Sequence, residues 1–266
     1  MATVEPTVAL DAETGAAIRD LILVLADSKR LLGMRYAEWI LGAPELEAGI
    51  ACASMAQDEW GHARLLYSLL RDFGEDVVML EHGREPSAYF SMEALDRPAA
   101  EWTDLVALNA FADTALSLQL EALRGTSYAP VRQRVEKMLE EERFHAAHGE
   151  AWFRRVADSG DVARAALRAS AERVLPGLLR WFGPDSPRAA GLVRQRVVDA
   201  AGSELRQRFI AAVQPLLERV GSDFSPAEPP DFGGFNESSR RVSTEGPDPE
   251  TIARVRGDLN RAFRLD

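Results

Sequence analysis

The chain has 266 residues, 46% of them hydrophobic and 27% charged, which is enough for a large helical or mixed domain that buries its own core. Its formal net charge of −11 excludes nucleic acid as an expected partner, because phosphate contacts need clustered Lys and Arg. The single cysteine, Cys52, excludes an internal disulfide and fits a reducing cytoplasm.

Helical patterns dominate, and no convincing alternating strand is present. The first long helix is predicted from about Ala16 to Leu41, and Gly42-Ala43-Pro44-Glu45 breaks it, with Pro44 well placed to open the next. The second runs from about Glu45 to Phe73 and stops at Gly74. Residues 75–101, with Pro86 and Pro98 inside them, read as a long crossover. A third helix is expected from Trp102 to Arg124 and a fourth from Val131 to Ala157, joined by the turn at 125–130. Two more follow near Val162–Phe182 and Ser186–Val220. Residues 222–247 are rich in Pro, Gly and Ser and read as an arm. Asp248-Pro249-Glu250 then starts a short final helix, as an N-cap followed by proline. The expected organisation is a bundle domain over 1–221, with an arm and a short helix over 222–266. Two hairpins joined by one long connection make the expected fold all-α, a ferritin-like four-helix bundle core with a long crossover and additional C-terminal helices. No stretch approaches the roughly 20 apolar residues that cross a membrane. The N-terminus MATVEPTVALDAETG lacks the basic and apolar regions of a signal peptide, so the cytoplasm is the expected location.

Two of the four histidines have glutamate three positions earlier, in Glu59-Trp60-Gly61-His62 and Glu142-Arg143-Phe144-His145. On a helix, positions three apart share a face, so each pair can grip one ion. Carboxylate plus imidazole suits iron or manganese. One such pair alone is weak evidence, since glutamate is common in an acidic chain. Height along the bundle adds to it. Asp113 precedes the middle of the 125–130 turn by 14.5 residues and Glu142 follows it by 14.5, so at about 1.5 Å per residue they lie at one level. Glu121 is displaced by roughly 12 Å and reads as a surface or peripheral charge. On the first hairpin, the residue opposite Glu59 is Lys29, where the metal-binding bundle design calls for a fourth carboxylate. Asp27 is near that level but about 200° around the helix. The alternatives at this point are a helix distortion that brings Asp27 inward, a five-ligand site, or a Lys29 ammonium that takes the place of one ion. Lys29 could also extend to solvent. The five tryptophans read as core or interface aromatics, and His148 as a surface residue or a neighbour of the site.

The stretches WILGAPEL, MAQDEWGHARLLYS, LRGTSYAPV, EEERFH, FGPDSP and SELRQRF, in order over roughly residues 20–232, resemble the catalytic subunit of the phenylacetyl-CoA epoxidase family. By position, the resemblance implies metal ligands at Glu59, His62, Asp113, Glu142 and His145, with Glu59, Asp113 and Glu142 as the catalytic acids, and Lys29 where that family has a glutamate ligand. It implies two iron ions (or manganese), dioxygen as co-substrate, and electrons from a separate reductase. The implied chemistry is epoxidation or hydroxylation of an aromatic or unsaturated acyl-CoA such as phenylacetyl-CoA. It also implies a homologous ferritin-like subunit or a second copy as partner. The stretch YAEWILGAPELE resembles the family's non-catalytic subunit as well, so a structural subunit with a metal-poor site stands as the alternative. A ferritin-like oxidase or metal store is a third class.

Overall fold

The computed structural model describes residues 11–224 and 229–263. The N-terminal residues 1–10, which bear on the leader expectation, and residues 225–228 of the arm lie outside the described residues.

Helix α1 (Ala12–Glu38) opens where Asp11 accepts a hydrogen bond from the Thr14 amide at 2.7 Å, a side-chain N-cap. Every residue from Leu21 to Lys29 is buried, so α1 is enclosed on all sides rather than on one stripe. That is how Asp27 and Lys29, on opposite faces, both lie inside the protein. Helix α2 (Leu46–Leu69) packs antiparallel along α1. The crossover holds the short helix α3 (Val77–His82) and two single 3₁₀ turns, Pro86–Ala88 and Glu93–Leu95.

The second hairpin consists of one long interrupted helix and α6 (Ala129–Ala157). The interrupted helix is α4 (Trp102–Ala107), a π segment (Leu108–Asp113) and α5 (Thr114–Ala122). A π segment inserts an extra residue per turn and rotates the residues beyond it by about 100°. It occupies the stretch that carries Asn109 and Asp113. Helix α7 (Asp161–Trp181) covers α4, α8 (Pro187–Arg194) lies on α1, and α9 (Gly202–Arg219) packs on α5 and α6. The single helix expected over 186–220 is therefore two. The break, at residues 195–201, is fixed by Arg196 at φ 55, whose carbonyl accepts from the Ser127 amide at 2.8 Å. The Asp199 amide donates to the Ala122 carbonyl at 3.0 Å, so the break is stitched to the α5–α6 turn.

Among the described residues there is no strand, only an isolated bridge between Asn236 and Arg241. The fold is the expected all-α, ferritin-like bundle. Among them no helix is long and apolar enough to cross a membrane. The described part of the arm lies against the bundle: buried Arg241 donates to both carboxylate oxygens of Asp96, at 2.9 and 2.6 Å. Helix α10 (Pro249–Arg256) is tied to α1 by Arg35 donating to Thr251 Oγ1 at 2.8 Å and Arg30 donating to the Val255 carbonyl at 2.9 Å.

Candidate metal centre

Lys29 decides the character of the bundle's interior. Its side chain is 0% exposed, and its Nζ donates to Glu142 Oε1 at 2.7 Å, Glu59 Oε1 at 2.9 Å and Asp113 Oδ1 at 3.4 Å. The matched heights read from the sequence are met: α1, α2, the π segment and α6 each deliver one of these four groups to one level. Burial works against a charged amine, but Glu142, Glu59 and Asp113 outweigh it and hold Lys29 protonated beyond the usual lysine range.

The histidines divide around this knot. His62 Nδ1 lies 3.0 Å from Glu142 Oε1 but off the axis of a hydrogen bond, and its Nε2 is 2.7 Å from Glu141 Oε2. His145 Nδ1 faces Glu59 Oε1 at 3.2 Å and Asp113 Oδ2 at 3.3 Å, and its Nε2 is 3.3 Å from Asp58 Oδ2. Glu59, Asp113, Glu142 and His145 each offer one donor atom within 4.8 Å of the others, the geometry of a group that could hold an ion. His62 falls outside that set.

The acids share their charge unequally. Burial pushes Glu59 up to about 7, against the pull of Lys29. Burial and the neighbouring Glu142 raise Asp113. For Glu142 burial also acts upward, but Lys29, then the contacts with His62 and Asp113, hold it well below the usual carboxylate range. Burial opposes a charged imidazole at His145, yet Asp113 and Glu59 raise it to about 11.

Asp27 is not part of this centre. It accepts from Tyr67 at 2.5 Å, from the Phe90 amide at 2.7 Å and from both terminal nitrogens of Arg84, on the far face of α1, as its angular position implies. A lysine reaching solvent is likewise overturned, since the surrounding helices close over it. Glu121 sits away from the centre, paired with Arg124.

Several supporting groups carried no readable signal of their own. Tyr36 donates to Asp113 Oδ2 at 2.9 Å, Asn109 donates to Tyr36 at 2.9 Å and to the His145 carbonyl at 3.2 Å, and Ser117 donates to Glu142 Oε2 at 3.0 Å. His148, expected at the surface or beside the site, is partly buried with Nδ1 2.9 Å from Asn109 Oδ1.

A dinuclear carboxylate centre needs both ion positions free for cations. Here three carboxylates already converge on one ammonium, so the residues present do not fit two ions. They do match the class of protein: a ferritin-like bundle whose four central helices send acids and imidazoles to one buried level. The phenylacetic acid catabolic protein family matches residues 1–236, and the chain belongs to that family. It is 29% identical over 191 residues to one subunit of the 1,2-phenylacetyl-CoA epoxidase of Escherichia coli (strain K12), covering 69% of this chain and 60% of that subunit. It is 27% identical over 228 residues to another subunit of the same epoxidase, covering 84% of this chain and 83% of that subunit. The chain thus spans less than two thirds of the length of the former relative and most of the latter.

Proposed function

We propose that the chain is a subunit of a multicomponent oxygenase of the phenylacetyl-CoA epoxidase type, and that it serves there as a structural, non-catalytic member. The observation that carries this is the buried Lys29 ammonium held by Glu59, Asp113 and Glu142. Exchange of a carboxylate for an ammonium alters the local charge from −1 to +1, a change equal to one divalent ion. The interior is thereby balanced by the chain's own residues. A centre that activates dioxygen with electrons from a reductase needs two exchangeable metal positions, and this interior supplies at most one. In the proposed role the bundle presents a rigid surface to a homologous ferritin-like subunit that carries the chemistry on an acyl-CoA.

The test is reconstitution with the partner subunits and reductase. Glu142→Gln should leave the assembled complex formed and its turnover of phenylacetyl-CoA within about twofold. A loss of a hundredfold or more with assembly intact would overturn the structural role.

A catalytic reading has its own support. Both Glu-x-x-His pairs and Asp113 are retained on the helices and at the level that the metal-binding design requires. Under it Glu59, His62, Asp113, Glu142 and His145 would hold the two ions, iron or manganese, which supply dioxygen activation, and Lys29 would have to leave the interior. Glu142→Gln would then abolish turnover.

A further inference from the structure

Two of the three carboxylates around Lys29, Asp113 and Glu142, turn their second oxygen toward a second place beside His145. Lys29 engages Glu59 Oε1, Asp113 Oδ1 and Glu142 Oε1. On the other side, Asp113 Oδ2 lies 3.3 Å and Glu142 Oε2 3.9 Å from His145 Nδ1, and Glu59 Oε1, shared with Lys29, lies 3.2 Å from it. Glu59 Oε2 and His145 Nδ1 are buried and have no hydrogen-bond partner. His145 itself is 1% exposed. Leaving buried polar atoms unmatched is costly, and one donor atom from each of Glu59, Asp113, Glu142 and His145 within 4.8 Å of the others is what a cation site looks like. His62 is not on this side. Its Nδ1, also buried without a hydrogen-bond partner, lies 3.0 Å from Glu142 Oε1, the oxygen that Lys29 uses, and its Nε2 is taken by Glu141.

We infer that the interior is a split two-cation site in which Lys29 permanently fills the His62 half, while the His145 half binds one divalent cation of the iron, manganese or zinc class through His145, Glu59, Asp113 and Glu142. The charges agree. Three carboxylates and one ammonium sum to −2, which one divalent ion neutralises and two would overfill. The dinuclear expectation is thereby replaced by a stoichiometry of one. This inference deepens the structural reading, because a single ion beside a fixed ammonium braces the four helices without supplying the two-metal chemistry.

The experiment is titration of the chelator-treated full chain with Mn(II), read by calorimetry and by manganese content after desalting, with the melting temperature followed alongside. One ion per chain is expected, with a rise in melting temperature. His145→Ala should lower affinity a hundredfold or more, whereas His62→Ala should change it less than fivefold. Lys29→Glu should take up two ions. Should that variant fail to fold without metal, Lys29→Met serves instead and should bind the first ion at least tenfold more tightly. Binding of two ions or of none by the wild-type chain would overturn the inference, as would an affinity that depends on His62 and not on His145. Assembly with partner subunits is scored separately on the same variants, so loss of the subunit role and loss of the ion count are distinguishable.

Discussion

Only two of the 266 residues are lysine, Lys29 and Lys137, in a chain otherwise supplied with arginine. An ammonium is a compact point charge that three carboxylates can surround, whereas a planar guanidinium would engage them as a fork. Removing a charge from such a knot leaves the others buried without compensation. Lys29→Met is therefore expected to destabilise the metal-free protein by about 3–5 kcal/mol in chemical denaturation. A loss below about 1 kcal/mol would show that the carboxylates do not depend on the ammonium. Cys52 offers an independent probe of the interior. Burial pushes its thiol up to about 11, so at pH 8 it should resist alkylation in the folded chain and react readily once unfolded. Rapid labelling of the native protein would mean that α2 opens at that position. The ligand-type residues were legible because spacing and helical height are properties of sequence: Glu59 opposite position 29, and Asp113 level with Glu142. The fate of Lys29 was not, because the same side chain can extend to solvent or turn inward, and only the enclosure of α1 by the other helices decides it. Tyr36, Asn109 and Ser117 were unreadable for a related reason, since a hydrogen bond between helices leaves no periodic trace.

Helix existence followed from apolar periodicity and from punctuation at Pro44, Gly74 and Asp248. The interruptions did not. The π segment at Leu108–Asp113 has no glycine or proline to announce it, and the break between α8 and α9 depends on bonds from Ser127 and to Ala122, remote in sequence. Glycines show where elements meet most closely. A Cβ on Gly202, at the start of α9, would lie 2.2 Å from the Gly183 carbonyl oxygen and 2.8 Å from that of Phe182. Backbone cannot yield as a side chain does, so Gly202→Ala should cost about 1–3 kcal/mol. Gly61, on the exposed face of α2, meets nothing within 4 Å. Gly61→Ala should instead stabilise the helix by about 0.5–1 kcal/mol. Paired denaturation curves check both signs, and equal effects would refute the packing argument.

At the scale of the molecule, the described part of the arm and α10 close over the crossover rather than extending from it. Arg241 is buried against Asp96, whose carbonyl also accepts from the Asp248 amide at 2.8 Å. Asp96→Ala should free this segment, seen as faster limited proteolysis within 229–263 while the bundle stays intact. Unchanged protection would mean that α10 contacts hold the arm by themselves. Membership of the phenylacetic acid catabolic protein family and the ferritin-like bundle agree with each other, and the interior that the bundle encloses sets this chain apart by its lysine. The most direct measurement is reductive methylation of the folded protein, with each lysine followed by mass spectrometry. Lys137, with a 71% exposed side chain, should be modified, and Lys29 should stay unmodified until the chain is denatured. Modification of both lysines at similar rates in the native protein would contradict an ammonium locked among Glu59, Asp113 and Glu142.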